Sequence, residues 1–170
     1  MGWLQLFREW LTREPKEVVA QFKTTDKGVQ LIKDFEGLRL NKYRDAAGHW
    51  TIGYGHKLTR EELVKGLVHV TKARAEEILI EDIIIHEKRL NAFLTIELTP
   101  NQYSAVLSFV FNLGAGAFSR STLRKHLNKG NLDAAAGQFG RWVYAGSRGD
   151  KKKLNGLVRR RKAERDLFNG

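Results

Sequence analysis

Glu36, Asp45 and Thr51 fall within one run, Phe35 to His56, FEGLRLNKYRDAAGHWTIGYGH, which gathers two carboxylates and a hydroxyl around what reads as a hairpin. Two carboxylates held close together suit acid/base work, one delivering a proton while the other activates water or attacks. A threonine hydroxyl can accept from and donate to one and the same water. Each residue also has a plainer reading. Glutamate near a helix end is common on surfaces, and aspartate in a turn is usually an Asx-turn former.

The elements that must hold these groups are legible in the same stretch. Val29, Leu31, Ile32 and Phe35 recur at helical spacing and Gly37 supplies a stop, so Glu36 belongs on the last turn of a helix. Leu38 to Tyr43 and Trp50 to Tyr54 read as short strands separated by the turn-like Asp45-Ala46-Ala47-Gly48. In the second strand Trp50, Ile52 and Tyr54 share one face, leaving Thr51, Gly53 and Gly55 on the other. That nearly bare face suits close approach of a ligand, which makes Gly53 and Gly55 candidate substrate-binding positions.

The ordered set Glu36, Asp45 and Thr51, closing in Thr51-Ile52-Gly53-Tyr54-Gly55-His56, resembles the phage-type lysozymes, the endolysin muramidases of glycoside hydrolase family 24. The likeness continues through Ala105-Val106-Leu107-Ser108-Phe109-Val110-Phe111-Asn112-Leu113-Gly114, Ser121-Thr122-Leu123, Arg141-Trp142-Val143-Tyr144-Ala145-Gly146 and Asn155-Gly156-Leu157-Val158-Arg159-Arg160-Arg161. It implies hydrolysis of the bond between N-acetylmuramic acid and N-acetylglucosamine in peptidoglycan. Glu36 would be the general acid, with Asp45 and Thr51 holding the attacking water on the opposite face of the sugar, giving inversion. The resemblance also turns Asn112 toward the cleft as a substrate-binding amide, against the alternative of a helix cap. It pairs His56 with Asp82, a carboxylate that interrupts the apolar row Ile78 to Ile85 and needs a partner if it lies near a core. Glu81 is the other partner open to His56, and solvent exposure is the alternative for Asp82. Tyr54 and Trp142 read as packing residues.

Composition narrows the rival classes. The chain of 170 residues fits one domain, and at 42% hydrophobic it can bury a core without staples. It has no cysteine, so neither a disulfide framework nor a thiolate metal site is possible. His49, His56, His69, His86 and His126 lack metalloprotease spacing, and no phosphate-cradling glycine loop is present, so neither metal nor cofactor is expected. The net charge is +11, and from Arg141 to Gly170 ten Lys or Arg stand against three Asp or Glu. Such a tail is drawn to polyanions, here an anionic envelope polymer or membrane surface, or is simply a solvated helix face. A nucleic-acid module built on Arg159, Arg160, Arg161, Lys162 and Arg165 would want stacking aromatics or a recognition helix, and neither accompanies them. A lytic transglycosylase has no requirement for the water-holding Asp45 and Thr51.

Trp3, Leu4, Phe7, Trp10 and Leu11 form an amphipathic stripe before Pro15, so residues 1–24 read as an amphipathic helical extension and 25–170 as the catalytic domain. The extension either packs on the protein or lies at a membrane interface. It makes a poor signal peptide. Synthesis in the host cytoplasm and action in the periplasm are expected. Downstream, Thr59-Arg60-Glu61-Glu62 has capping-box spacing, Thr71 starts a long helix through about Ala92, and Thr99-Pro100-Asn101-Gln102 opens a nearly all-apolar, buried helix to Gly114. Three shorter helices follow near Thr122 to Leu127, Asp133 to Val143 and Leu157 to Phe168, with a polar, mobile segment from Ala145 to Lys153. The fold class expected is α+β and lysozyme-like, a small hairpin-containing lobe beside a larger all-helical lobe, in a monomer.

Overall fold

The computed structural model describes residues 23–146 and 150–170. The amphipathic stripe from Trp3 to Leu11 therefore lies outside the described residues. Helix α1, Asp26–Glu36, starts where the Thr25 side chain accepts from the Gly28 amide and ends at Gly37, whose N–H returns to the Lys33 carbonyl. The cap is itself tied down. The Thr25 N–H donates to Ser104 Oγ at 2.9 Å and the Thr24 N–H to Glu87 Oε1 at 2.9 Å, so the junction expected at residue 24 is bonded into the helical body.

Strands β1 (Arg39–Arg44), β2 (Trp50–Gly53) and β3 (His56–Lys57) form an antiparallel sheet in that order. Tyr43 faces Thr51, Arg44 faces Trp50 and Ile52 faces His56, with an irregularity between Arg39 and Tyr43. β3 is an addition to the two strands expected. Strand propensity over two residues is too weak a signal to read, and the pairing comes from the turn at Tyr54 and Gly55.

Thr59 completes a capping box with Glu62 ahead of α2, Arg60–Val64, and Thr71 caps α3, Lys72–Asn91. α3 buries Ala75, Ile78, Leu79, Ile83 and Leu90, while Ile84 and Ile85 are exposed at 44% and 46%. The broad apolar row of the sequence is thus narrower in space. A helix can turn only one stripe inward, and Ile84 and Ile85 fall off it. Thr99 and Gln102 form a second capping box with Pro100 in the first turn of α4, Pro100–Leu113, buried continuously from Tyr103 to Val110.

Around α4 lie α5 (Ala115–Arg120), α6 (Thr122–Leu127), α7 (Leu132–Ala136), a 3₁₀ turn (Phe139–Arg141) and α8 (Asn155–Asn169). α5 has no side-chain cap to announce it, and the helix expected from Asp133 to Val143 breaks into α7 and the 3₁₀ turn at Gly137. Phe109 is the hub of this lobe, edge-on to Phe118, Phe139 and Trp142 at centroid distances of 6.5, 5.8 and 5.3 Å. Trp142 packs, as does Tyr54 at 8% exposure. The polar segment expected to be mobile contains a small hairpin, β4 (Tyr144–Ala145) on β5 (Lys152–Lys153); residues 147–149 between them lie outside the described residues.

Candidate active site

Glu36 closes α1 where the Gly37 cap stops the helix, so its side chain projects beside the hairpin. Gly55 makes the approach possible. A Cβ there would stand 3.1 Å from Glu36 Oε2, and at φ +82° the backbone is in a region that favours glycine. The carboxylate meets Arg160, whose Nη1 donates to Glu36 Oε1 at 2.7 Å. Glu36, Asn112, Arg159 and Arg160, with Asp34, Phe35, Leu154, Gly156 and Leu157, line an open groove of about 520 Å³.

Asp45 and Thr51 stand on the hairpin, outside the lining of that groove. Asp45 Oδ1 accepts from the Ala47 and His49 amides at 2.9 and 2.8 Å, the turn-forming role weighed for it, and Oδ2 lies 3.3 Å from His49 Nδ1. The His49 amide foremost holds its pKa below the usual carboxylate value. Thr51 is 2% exposed, and its hydroxyl donates to the His49 carbonyl at 3.2 Å, leaving its lone pairs to accept. Burial raises the phenol of Tyr43, the cross-strand partner of Thr51; Arg39 opposes that, and the charges of both Glu36 and Asp45 add to it. Tyr43 thus lies within the field of both carboxylates.

The remaining candidates take varied positions. Asn112 Oδ1 accepts from Arg161 Nη2 at 3.0 Å, so this amide is on the groove and already engaged from behind. The bare face expected around Gly53 is filled: a Cβ there would meet Ala75 of α3 at 3.5 Å, because β2 packs on that helix. His56 Nδ1 lies 2.9 Å from Asp82 Oδ2, and its Nε2 lies 3.2 Å from Glu62. Glu81, the alternative partner, instead takes Arg74 at 3.0 Å. Burial works against the imidazolium, but hydrogen bonds and charge from Asp82 and Glu62 outweigh it and raise its pKa to about 9. Among the described residues no cluster of three His, Cys, Asp or Glu could hold a metal, and no helix is long and apolar enough to cross a membrane.

The sequence reading missed the back of the site. Arg160 and Arg161, counted there among the tail's surface cations, are 3% and 1% exposed. Arg161 Nη2 and Arg160 Nε both donate to Glu164 Oε1, at 2.9 and 3.2 Å, and Ser108 Oγ donates to the same oxygen at 2.9 Å. Long-range charge estimates assume exposed arginines, and these two are buried because an acid four and three residues later on α8 receives them. That spacing was the available signal.

The phage lysozyme family model matches residues 33–164. The chain is 45% identical over 144 residues to an endolysin of Acyrthosiphon pisum secondary endosymbiont phage 1, covering 85% of this chain and 96% of that one. Longer relatives exist: it spans 53% of the length of a Bacillus phage PZA endolysin to which it is 40% identical. Among solved structures, the muramidase domain of SpmX from Asticaccaulis excentricus superimposes with a TM-score of 0.78 at 36% identity, over 87% of this chain and 98% of that one. A P22 lysozyme variant follows at 0.74 and 35%, over 88% and 100%. The chain belongs to the phage lysozyme family, and by that membership it is a glycoside hydrolase.

Proposed function

We propose that this lysozyme is an endolysin muramidase that cuts peptidoglycan with Glu36 as general acid, while Asp45 and Thr51 hold the attacking water for inversion. The observation that carries the assignment is the contrast between the two carboxylates. Asp45 is kept ionised by the amides of its own turn on the hairpin, the state a base requires, whereas Glu36 stands at the end of α1 and lines the groove, where a leaving oxygen can reach it. The Thr51 hydroxyl, its proton already committed to the His49 carbonyl, is free to accept from a water. Asn112 binds sugar at the groove, and Gly55 admits the acid. Gly53 serves by letting β2 lie on Ala75.

Mass spectrometry of digested sacculi tests the reaction, since hydrolysis leaves reducing muramic ends and a transglycosylase leaves anhydro-muramyl ends. Anomeric NMR of the first product tests inversion. The exposed cations Lys151, Lys152, Lys153, Arg159, Lys162 and Arg165 remain to meet anionic envelope polymers once Arg160 and Arg161 are set aside as buried. The enzyme is made in the host cytoplasm and works on the wall from the periplasm.

A further inference from the structure

Arg160 is shared by two carboxylates with very different access to water. Nη1 donates to Glu36 Oε1 at 2.7 Å, Nε to Glu164 Oε1 at 3.2 Å, and Nη2 to the Ser108 carbonyl at 3.2 Å. The Glu36 side chain is 19% exposed at the groove, and that of Glu164 is fully enclosed at 0%. Three donors converge on Glu164 Oε1, and Oε2 has no partner among the described residues. Burial pushes this carboxyl above its usual pKa, while Arg161, Arg160 and Ser108 pull it back. An acid sealed in this way is costly to keep, and one of the donors facing it, Arg160, is the cation that also meets Glu36.

We propose that Glu164 is a positioning residue for the reaction: it fixes the Arg160 guanidinium so that Nη1 meets Glu36, and its carboxylate offsets the charge that Arg160 brings there. The inference rests on Glu36 being the general acid. A general acid must be protonated to act, and a cation at hydrogen-bond distance favours the ionised form of a carboxyl. A carboxylate on the far side of that cation opposes the effect. The other ionisable groups around Glu36 are Tyr43 from β1, Asp34 and Arg159 at the groove and Arg161 behind Arg160. Around Glu164 they are Arg160 and Arg161 of α8, with uncharged Ser108 from α4.

The test compares pH profiles of kcat/KM for wild type, Glu164→Gln and Ser108→Ala, with carboxyl-carbon NMR titration of Glu36 in each. Glutamine keeps an acceptor for Arg160 but removes the charge. The alkaline limb should move about one pH unit lower with activity retained on the acid side, and the Glu36 resonance should titrate lower by the same amount. Ser108→Ala takes one donor from the Glu164 carboxylate and so favours its uncharged form, which should move both in the same direction by a smaller step. A uniform loss at every pH, with the limb and the titration unmoved, overturns the proposal. Where Glu164→Gln does not fold, Ser108→Ala decides it by the same criterion. Full activity of Glu36→Gln would instead remove the catalytic reading, and the NMR titration would still report whether Glu164 acts on Glu36.

Discussion

His56 and Asp82 meet at 2.9 Å, Nδ1 to Oδ2, and so join the third strand of the hairpin sheet to the middle of α3. Glu62, fixed by the capping box of α2, takes the other ring nitrogen, so one imidazolium holds β3, α2 and α3 together.

The pH dependence follows from the raised pKa. His56 moves from 6.5 to about 9 on folding, so its contribution is fully present below the lower value and is lost as pH rises through the higher one. With the side chain 15% exposed, the shift corresponds to about 3 kcal/mol. Urea midpoints of wild type should therefore fall between neutral pH and pH 10 more steeply than those of His56→Asn. A double-mutant cycle of His56→Asn and Asp82→Asn at neutral pH should show coupling, and strictly additive losses would exclude the pair.

Glu36→Gln keeps the size and most of the hydrogen bonding of the acid but removes the transferable proton. Lysis should fall by roughly 10² to 10⁴, the range typical of general acid catalysis, with the melting temperature little changed. A folded variant that keeps a tenth of the wild-type rate would remove Glu36 from that role.

Asp45→Asn and Thr51→Ala separate catalysis from turn formation. Asparagine retains an oxygen to accept the Ala47 and His49 amides, so the hairpin should persist while the charge that activates water is lost. Severe loss of turnover with unchanged amide shifts in β1 and β2 is expected for Asp45→Asn. Thr51→Ala should also lose activity with its fold intact, and a fully active variant would end the water-positioning role of its hydroxyl.

What was legible in the sequence was what local chemistry announces. Thr59, Thr71 and Thr99 each start a helix by accepting an amide from its own first turn, so α2 to α4 could be read from neighbours in the chain, and α1 from its apolar spacing and the Gly37 stop. Glu36 at the end of a helix, Thr51 on the second strand and the His56–Asp82 contact were legible because their residues stand in an ordered pattern. Arg160 and Arg161 were misread as surface charge because, beyond the nearby Glu164, their partners come from far along the chain: Ser108 and Glu36 for Arg160, 52 and 124 residues away, and Asn112 for Arg161, 49 residues away. The approach of Ala75 to Gly53 was not legible for a related reason: a bare strand face makes room for a helix as readily as for a sugar, and nothing local distinguishes the two.

The exposed basic segment should act through long-range attraction. Replacing Lys151, Lys152 and Lys153 by Ser should lower lysis of whole sacculi at low salt more than cleavage of a short neutral oligosaccharide, with the difference shrinking as salt screens it. Equal losses on both substrates would place the lysines in the cleft or the fold instead.

Gly55→Ala tests how closely the hairpin must approach the acid. The residue sits at φ +82°, where a side chain costs about 1 to 2 kcal/mol, and the new methyl would lie 3.1 Å from Glu36 Oε2. The strain alone would lower stability by that amount and leave the rate untouched. The contact does more, because the carboxylate is held between the new methyl and Arg160 Nη1 and can yield only by lengthening the 2.7 Å bond or turning away from the groove. Displacements of this size at a reacting group cost rate out of proportion to stability. Gly55→Ala should therefore lose at least tenfold in kcat with a modest drop in melting temperature. Gly53→Ala, at φ +64° but with its nearest neighbour Ala75 at an ordinary 3.5 Å, should show a similar drop in melting temperature and a much smaller loss of kcat. Equal losses of kcat in the two variants would mean that backbone strain, and not the approach to Glu36, is what glycine relieves at position 55.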